Sequence, residues 1–190
     1  MNIHQLSVTY LAEQDRIMVR VNTAASQEMR LWLTRRLMLG LWPLLSRLLT
    51  EHLLKLEAAG TSLDTAGEEL KKMLTDFRKQ EFLQHADFDT PYRSNQALPL
   101  GDEPLLVTDV DAAPLPNGRL RLKFNERPAQ ATAPRSFQLE LEPRLMHGLM
   151  HLLEQALVQS HWREALGAPA ANVDAGSADP SGPTRPRYLN

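Results

Sequence analysis

Cysteine is absent from the 190 residues of this chain. Disulfide bonds, zinc sites built on thiolates and cysteine nucleophiles are therefore excluded. A dominant charge is lacking too, because the formal net charge is only −2. The strong basic excess typical of many nucleic-acid-binding domains is therefore missing, and any recognition of an anion must depend on a local cluster of cations.

A long hydrophobic run is also missing. The most apolar stretch, residues 37–49, contains Gly40, Pro43, Ser46 and Arg47 and falls short of the roughly 20 residues that span a bilayer. The N-terminal segment alternates apolar and polar residues, unlike the continuous apolar core of a secretory signal peptide. The sequence therefore predicts a cytoplasmic protein without a membrane span.

Motifs that would indicate common catalytic or cofactor sites do not occur. The chain has no G-x-x-x-x-G-K-[ST], no G-x-G-x-x-G, no H-E-x-x-H and no G-x-S-x-G, the patterns typical of phosphate, dinucleotide, zinc and serine chemistry. Apolar residues make up 43% and charged residues 23% of the chain, as in ordinary globular proteins. We therefore expect no cofactor and find no catalytic residue to nominate.

The first third of the chain has the pattern of three strands followed by a helix. Apolar residues alternate with polar ones over residues 6–10, 17–21 and 29–33, which is typical of strands with one buried face. Thr34 then offers an N-cap oxygen to a predicted helix over residues 35–57. A second, amphipathic helix is predicted to follow at residues 62–84.

The last third repeats this order. Strand patterns over residues 105–110 and 120–124 flank Asn117-Gly118, a strong signal for a tight hairpin turn. A further strand is predicted at residues 137–141. Pro143 then stands where its missing amide is harmless, at the start of a helix.

The two strand-to-helix junctions also resemble each other in sequence. Residues 29–49 and 137–157 align without a gap at ten identities in 21 positions, seven of them leucine. Because two leucine-rich helices share leucines by chance, the comparison depends on the matched arginine, methionine and glycine positions and on the upstream hairpins. Gly40 and Gly148 are one matched pair, explained either by a close backbone approach or by simple tolerance of glycine.

These patterns predict an α+β protein built from two β-β-β-α units related by internal duplication. The units occupy residues 1–57 and 105–166. Residues 58–104 contribute a connecting amphipathic helix and a long loop, which is unusual in a compact domain unless it is functional or mobile. Residues 167–190 are poor in large apolar residues and are predicted to form a disordered tail.

The leading functional hypothesis is a non-catalytic module that forms a homo-oligomer or binds a protein partner. The helix at residues 35–57 is apolar on more sides than one sheet covers, so its surplus surface could pack against another subunit. The residues proposed for this contact are Leu39, Leu41, Trp42 and Leu45.

A second hypothesis is a protein that binds single-stranded nucleic acid. Cations interleaved with an aromatic residue suit such a ligand, because phosphates need positive charge and bases need a stacking platform. By alternation these residues lie on the exposed sides of strands and are predicted to line one sheet face: Arg16, Arg20, Arg30, Trp32, Arg119, Arg121 and Lys123.

A third hypothesis is a metal-assisted enzyme. His85, Asp87 and Asp89 form an H-x-D-x-D run in the long loop, where imidazole and carboxylate ligands could hold a divalent cation. His147 and His151 form a second metal-like set with Glu154 on one helix. The latter set lies opposite the leucine stripe of that helix, so we predict that it faces solvent.

Overall fold

The computed structural model describes residues 2–58, 68–84, 86–88, 90–94, 97–127 and 133–163. Runs of strands are followed by helices along this part of the chain, and the sheets are antiparallel or mixed, which confirms the α+β class. The elements are β1 (Ile3–Leu11), β2 (Arg16–Thr23), β3 (Glu28–Thr34), α1 (Arg35–Ala58), α2 (Glu68–Gln84), β4 (Leu105–Leu106), β5 (Asp109–Pro114), β6 (Leu120–Glu126), β7 (Arg135–Leu141) and α3 (Pro143–Gln159).

The first sheet has the order β1-β2-β3-β4. Its first three strands form an antiparallel meander in which Val19 lies between Val8 and Leu31. Side chains alternate across a sheet, and the alternate positions of β2 and β3 that include Ile17 and Leu33 are buried in the core. One face of this sheet is therefore core, and we call the opposite face the outer face.

The second sheet has the order β5-β6-β7 and is antiparallel throughout. The Asn117-Gly118 turn joins its first two strands, with Gly118 at a φ of 77°. The Leu115 amide donates to the Arg119 carbonyl at 2.8 Å. The hairpin predicted from this dipeptide is therefore confirmed.

The segment between the two sheets differs from the single strand predicted at residues 105–110. Leu105 pairs in parallel with Leu31 of β3, and the Val107 amide then donates to the Trp32 carbonyl at 3.0 Å. One residue further, the Thr108 amide donates to the Asn125 carbonyl of the second sheet at 2.8 Å. The chain thus changes sheets between residues 107 and 108, and this change divides the predicted strand into β4 and β5.

An ion pair holds this junction together. Glu126 accepts a hydrogen bond from the backbone amide of Leu106 at 3.2 Å and another from the Arg135 guanidinium. The Arg135 hydrogen bond holds the pKa of the Glu126 carboxyl below its ordinary value. Arg135 also donates to the carbonyls of Leu100 and Glu103, so one side chain connects the second sheet with the loop that precedes β4.

The helix of each β-β-β-α unit packs on the first strand of the other unit's sheet. Helix α1 lies against β5, and α3 lies against β1. The Nε2 atom of His52 in α1 lies 2.7 Å from the Gly118 carbonyl of the second hairpin. Beyond the end of α3, the Trp162 indole donates to Asp15 in the β1–β2 turn at 2.6 Å. The helix of each unit therefore packs against the sheet of the other unit.

Equivalent positions of the two aligned segments have equivalent burial. In α1 the buried stripe includes Met38, Leu41, Leu45 and Leu49, and residues 108 positions later are also buried. Those residues in α3 are Met146, Leu149, Leu153 and Leu157. The two β-β-β-α units are thus alike in element order and in their buried stripes, although their origin by duplication stays a prediction.

The glycines of the aligned segments are not sites of close backbone approach. A Cβ atom built on Gly40 or on Gly148 meets no heavy atom within 4 Å outside its own helix. The structure therefore favours simple tolerance of glycine at both positions. The predicted disordered tail at residues 167–190 and the predicted start of the connecting helix at residues 62–67 lie outside the described residues.

Candidate nucleic-acid interface on the first sheet

Four of the predicted nucleic-acid contacts lie together on the outer face of the first sheet. Arg20 of β2 is directly opposite Arg30 of β3 in the strand register. Trp32 is two residues further along β3, about 7 Å away, and the Arg16 guanidinium lies 5.8 Å from the centre of its ring. A cationic pair is therefore followed by an aromatic ring and a third cation.

The opposed arginines are held beside one acidic side chain. Like charges directly opposite on neighbouring strands destabilise a sheet, and Glu28 supplies a counter-charge 3.7 Å from Arg30 Nε. That distance is short enough for an ion pair but too long for a hydrogen bond. Within the described residues, the buried Arg30 Nε has no hydrogen-bond acceptor, which costs about 1–3 kcal/mol. The Arg30 side chain nevertheless stays 28% exposed, so an anion can approach the pair from solution.

A loop segment at residues 90–94, which we call the strap, crosses one end of the outer face. The Asn22 side chain donates to the Arg93 carbonyl at 2.6 Å, and the Arg93 amide donates to the Gln5 side chain at 3.1 Å. These bonds connect the strap to both β1 and β2. The strap therefore covers the row of residues next to the arginine pair.

Tyr92 of the strap joins the cationic cluster. The Arg20 guanidinium lies 4.4 Å from the centre of the Tyr92 ring, a distance suited to a cation–π contact. The Tyr92 hydroxyl donates to Glu28 at 3.2 Å. Burial, followed by the nearby Glu28 carboxylate, raises the pKa of the Tyr92 phenol well above its ordinary value. Tyr92 therefore stays protonated and remains a donor to Glu28.

Sequence reasoning missed Glu28 and Tyr92 as members of this cluster. Glu28 could have been found, because residues 28, 30 and 32 alternate and must share a face of β3. Tyr92 left no such signal, since its approach to β2 depends on the path of a loop.

Two shallow cavities lie on the outer face. The first has a volume of about 390 Å³ and includes Arg20, Arg30, Glu28 and Met18 in its lining. The second has a volume of about 440 Å³ and includes Arg16 and Trp32. A chain-like ligand that entered both cavities would contact a cationic group on each side of the indole.

The other predicted cations lie on the second sheet. Arg121 is 3.3 Å from Glu140 of the neighbouring strand, and Arg119 is 2.9 Å from Glu142. Lys123 is opposite Asp111 and Gln138 in the strand register. The structure therefore divides the seven predicted residues between two sheets, and acidic partners balance the arginines of the second one.

The residues proposed for partner contact divide into buried and accessible ones. Leu41 is 6% exposed and Leu45 is 1% exposed, so both belong to the core of this chain. Trp42 is half-buried beneath the guanidinium of Arg163, 4.4 Å from its ring centre. Leu39 is 44% exposed, and it is the member of the set best placed for contact with a partner.

Two of the three residues of the metal hypothesis, His85 and Asp89, lie outside the described residues. The Asp87 carboxylate accepts hydrogen bonds from the amide and the hydroxyl of Thr90, at 3.0 and 2.6 Å. Asp87 thus stabilises a turn. Among the described residues, no three histidine, aspartate or glutamate side chains cluster closely enough to hold a metal ion.

The prediction that His147 faces solvent is wrong. His147 is only 2% exposed, and its ring stacks on Phe82 of α2 at 4.8 Å. The helical pattern of α3 identified the side opposite the leucine stripe correctly, but it could not show that α2 covers this side. His151, one turn further, is half-buried and lies 3.0 Å from the Gln155 side chain.

Comparison of the chain with models of protein families, with curated proteins and with solved structures gives no match. In the part of the chain that the structure describes, no helix has the length and apolar character needed to cross a bilayer.

Proposed function

We propose that this protein binds single-stranded nucleic acid, without catalysis, on the outer face of its first sheet. The observation that carries the proposal is the opposed pair Arg20 and Arg30, of which Arg30 keeps 28% of its side chain exposed. A phosphate bound at the pair would offset the repulsion between the two cations.

The neighbouring residues support a single-stranded ligand more than a duplex. Trp32 lies next to the arginine pair and offers a ring on which an unpaired base can stack, a contact worth about 1–3 kcal/mol. Arg16 on the far side of the indole is placed for a second phosphate. The bases of a duplex are already stacked on each other, so they would not use this ring.

The acidic residues of the second unit lie away from the proposed interface. Glu140 and Glu142 lie beside Arg121 and Arg119, whereas the Arg20 pair belongs to the first sheet. The net charge of −2 therefore coexists with a local surface on which Arg16, Arg20 and Arg30 accompany two glutamates, Glu28 and Glu103.

Fluorescence anisotropy with a labelled single-stranded oligonucleotide tests this function. We expect binding at low salt that weakens as salt rises, with a slope of log K against log salt near −2, since three phosphate contacts release about 0.7 counterion each. A duplex of the same sequence serves as the control and should bind more weakly. Failure to bind the single strand at low salt would refute the proposal.

A second function, self-association or binding of a protein partner, is supported by exposed apolar side chains on the helices. Met73 and Phe77 of α2 are 64% and 61% exposed and one turn apart, and Leu39 of α1 is 44% exposed. Light scattering over a range of protein concentrations should then show a mass above 21.5 kDa at the highest concentrations. A constant monomer mass would leave self-association unsupported.

A further inference from the structure

A third cavity lies away from the arginine pair, between β1, the end of α2 and the first turns of α3. Its volume is about 560 Å³, within the range of about 300–1,000 Å³ of small-molecule sites. Ala86, Asp87, Phe88 and Thr90 form one wall, and residues 3–6 of β1 form another. This cavity is therefore large enough for a compact organic ligand.

One face of α3 runs along the cavity. Leu145, Gly148 and Leu152 all line it, and their spacing places them on one side of a helix. With Glu142 at the start, this face extends about 15 Å. A Cβ on Gly148 would meet no heavy atom within 4 Å, so the absence of a side chain here leaves the cavity open.

The cavity has an apolar part that is accessible to water. Phe88 is 43% exposed and Leu145 is 37% exposed, and both line the cavity. Phe82 and Leu152 add further apolar surface. Removal of this surface from water would contribute roughly 25 cal/mol for each Å² covered, so an apolar ligand body is favoured.

The charged end of the cavity contains the carboxylates of Asp87 and Glu142 and the guanidinium of Arg144. Glu142 is engaged by Arg119 at 2.9 Å, and Asp87 accepts two hydrogen bonds from Thr90. Arg144 also lines the cavity, and among the described residues it forms no ion pair. It lies in the first turn of α3, where the helix dipole also favours negative charge.

We propose that this cavity binds a small amphipathic anion, with its carboxylate or sulfonate at Arg144 and its apolar body along Leu145, Gly148 and Phe88. The site is separate from the proposed nucleic-acid interface, although Gln5 and Tyr92 lie between the two regions. It therefore does not depend on that function. The ligand class follows from Arg144, which forms no ion pair within the described residues, and from the apolar face beside it.

Fluorescence of 8-anilinonaphthalene-1-sulfonate, a sulfonate with an aromatic body, tests the proposal on the full chain. We expect saturable binding at one site, with displacement by 2-naphthoate. The neutral 2-naphthamide has the same shape without the charge, and it should displace the probe at least about tenfold less effectively, a difference of about 1.4 kcal/mol. Equal displacement by both compounds would overturn the assignment of an anion.

Substitution of two equivalent glycines locates the probe. Gly148→Leu should fill the cavity and weaken probe binding at least about tenfold, whereas Gly40→Leu changes the matched position of α1 and should leave it unchanged. Equal binding by the wild type and Gly148→Leu, or no saturable binding by the wild type, would overturn the proposal. A cooperative thermal transition is required of each variant, since partly folded chains also bind this probe.

Arg144→Gln provides a test that does not depend on how Gly148→Leu folds, because Arg144 is exposed. We expect it to weaken 2-naphthoate about tenfold and to leave 2-naphthamide unchanged. Unchanged affinity for both compounds would show that Arg144 does not hold the anion and would overturn the proposal.

Discussion

Replacement of both Arg20 and Arg30 with alanine is expected to weaken the binding of single-stranded oligonucleotides about a hundredfold at low salt, or about 2.7 kcal/mol. The two residues are directly opposite each other in the strand register, so their side chains are placed to contact one phosphate or two adjacent ones. Loss of two contacts should also make the salt slope shallower by about 1.4. Anisotropy titrations at several salt concentrations measure both quantities.

The double variant Arg119→Ala with Arg121→Ala is the matched control, since it removes the same charge from the second hairpin. Those arginines lie beside Glu140 and Glu142, so their loss should change oligonucleotide affinity much less. An equal effect of the two double variants would indicate that net charge, and not the first sheet, governs binding.

Trp32→Ala separates stacking from charge. It should lower oligonucleotide affinity by about 1–3 kcal/mol while the salt slope stays the same, because no cation is lost.

Glu28→Gln should act in the opposite direction and tighten binding, since it removes the carboxylate 3.7 Å from Arg30 Nε. Weaker binding by a folded Glu28→Gln variant would contradict the view that Glu28 competes with phosphate.

Separation of the chain into residues 1–104 and 105–190 is expected to yield two fragments that do not fold alone. Helix α1 packs on β5 and α3 packs on β1, so each fragment loses the sheet that covers its helix. Leu105, which is fully buried, pairs with β3 across the cut. The buried stripe of each helix would then face water. Each apolar side chain that is no longer buried would cost about 1.5–3 kcal/mol of stability.

Circular dichroism and urea unfolding measure this result. The intact chain should unfold cooperatively, each fragment alone should not, and mixing the fragments should restore helical signal and a cooperative transition. A fragment that unfolds cooperatively by itself would show that its unit is an independent domain and that packing against the other unit adds little to its stability.

Much of the local structure was predictable because it depends on neighbours in sequence. Period-two alternation predicted the three strands of the first meander, and Thr34 marked the start of α1 within one residue. The Asn117-Gly118 hairpin and the helix start at Pro143 were also predicted correctly. Residues 105–110 were not, because the hydrogen-bond partners of that segment change from one sheet to the other.

The candidate site was predictable only in part. Alternation placed Arg20, Arg30 and Trp32 on one side of their strands, since residues two apart must share a face. It could not indicate that Arg121 belongs to another sheet. Nor could it place Tyr92 over Arg20, because the path of a loop is set by contacts distant in sequence.

The sequence by itself determined the order of strands and helices and the side of each that is apolar, because both follow from residues within a few positions of one another. The tertiary structure alone decided which sheet each strand joins, that α1 and α3 each pack against the sheet of the other unit, and that α2 covers His147. These features depend on side chains far apart in the chain, whose packing free energies leave no local pattern.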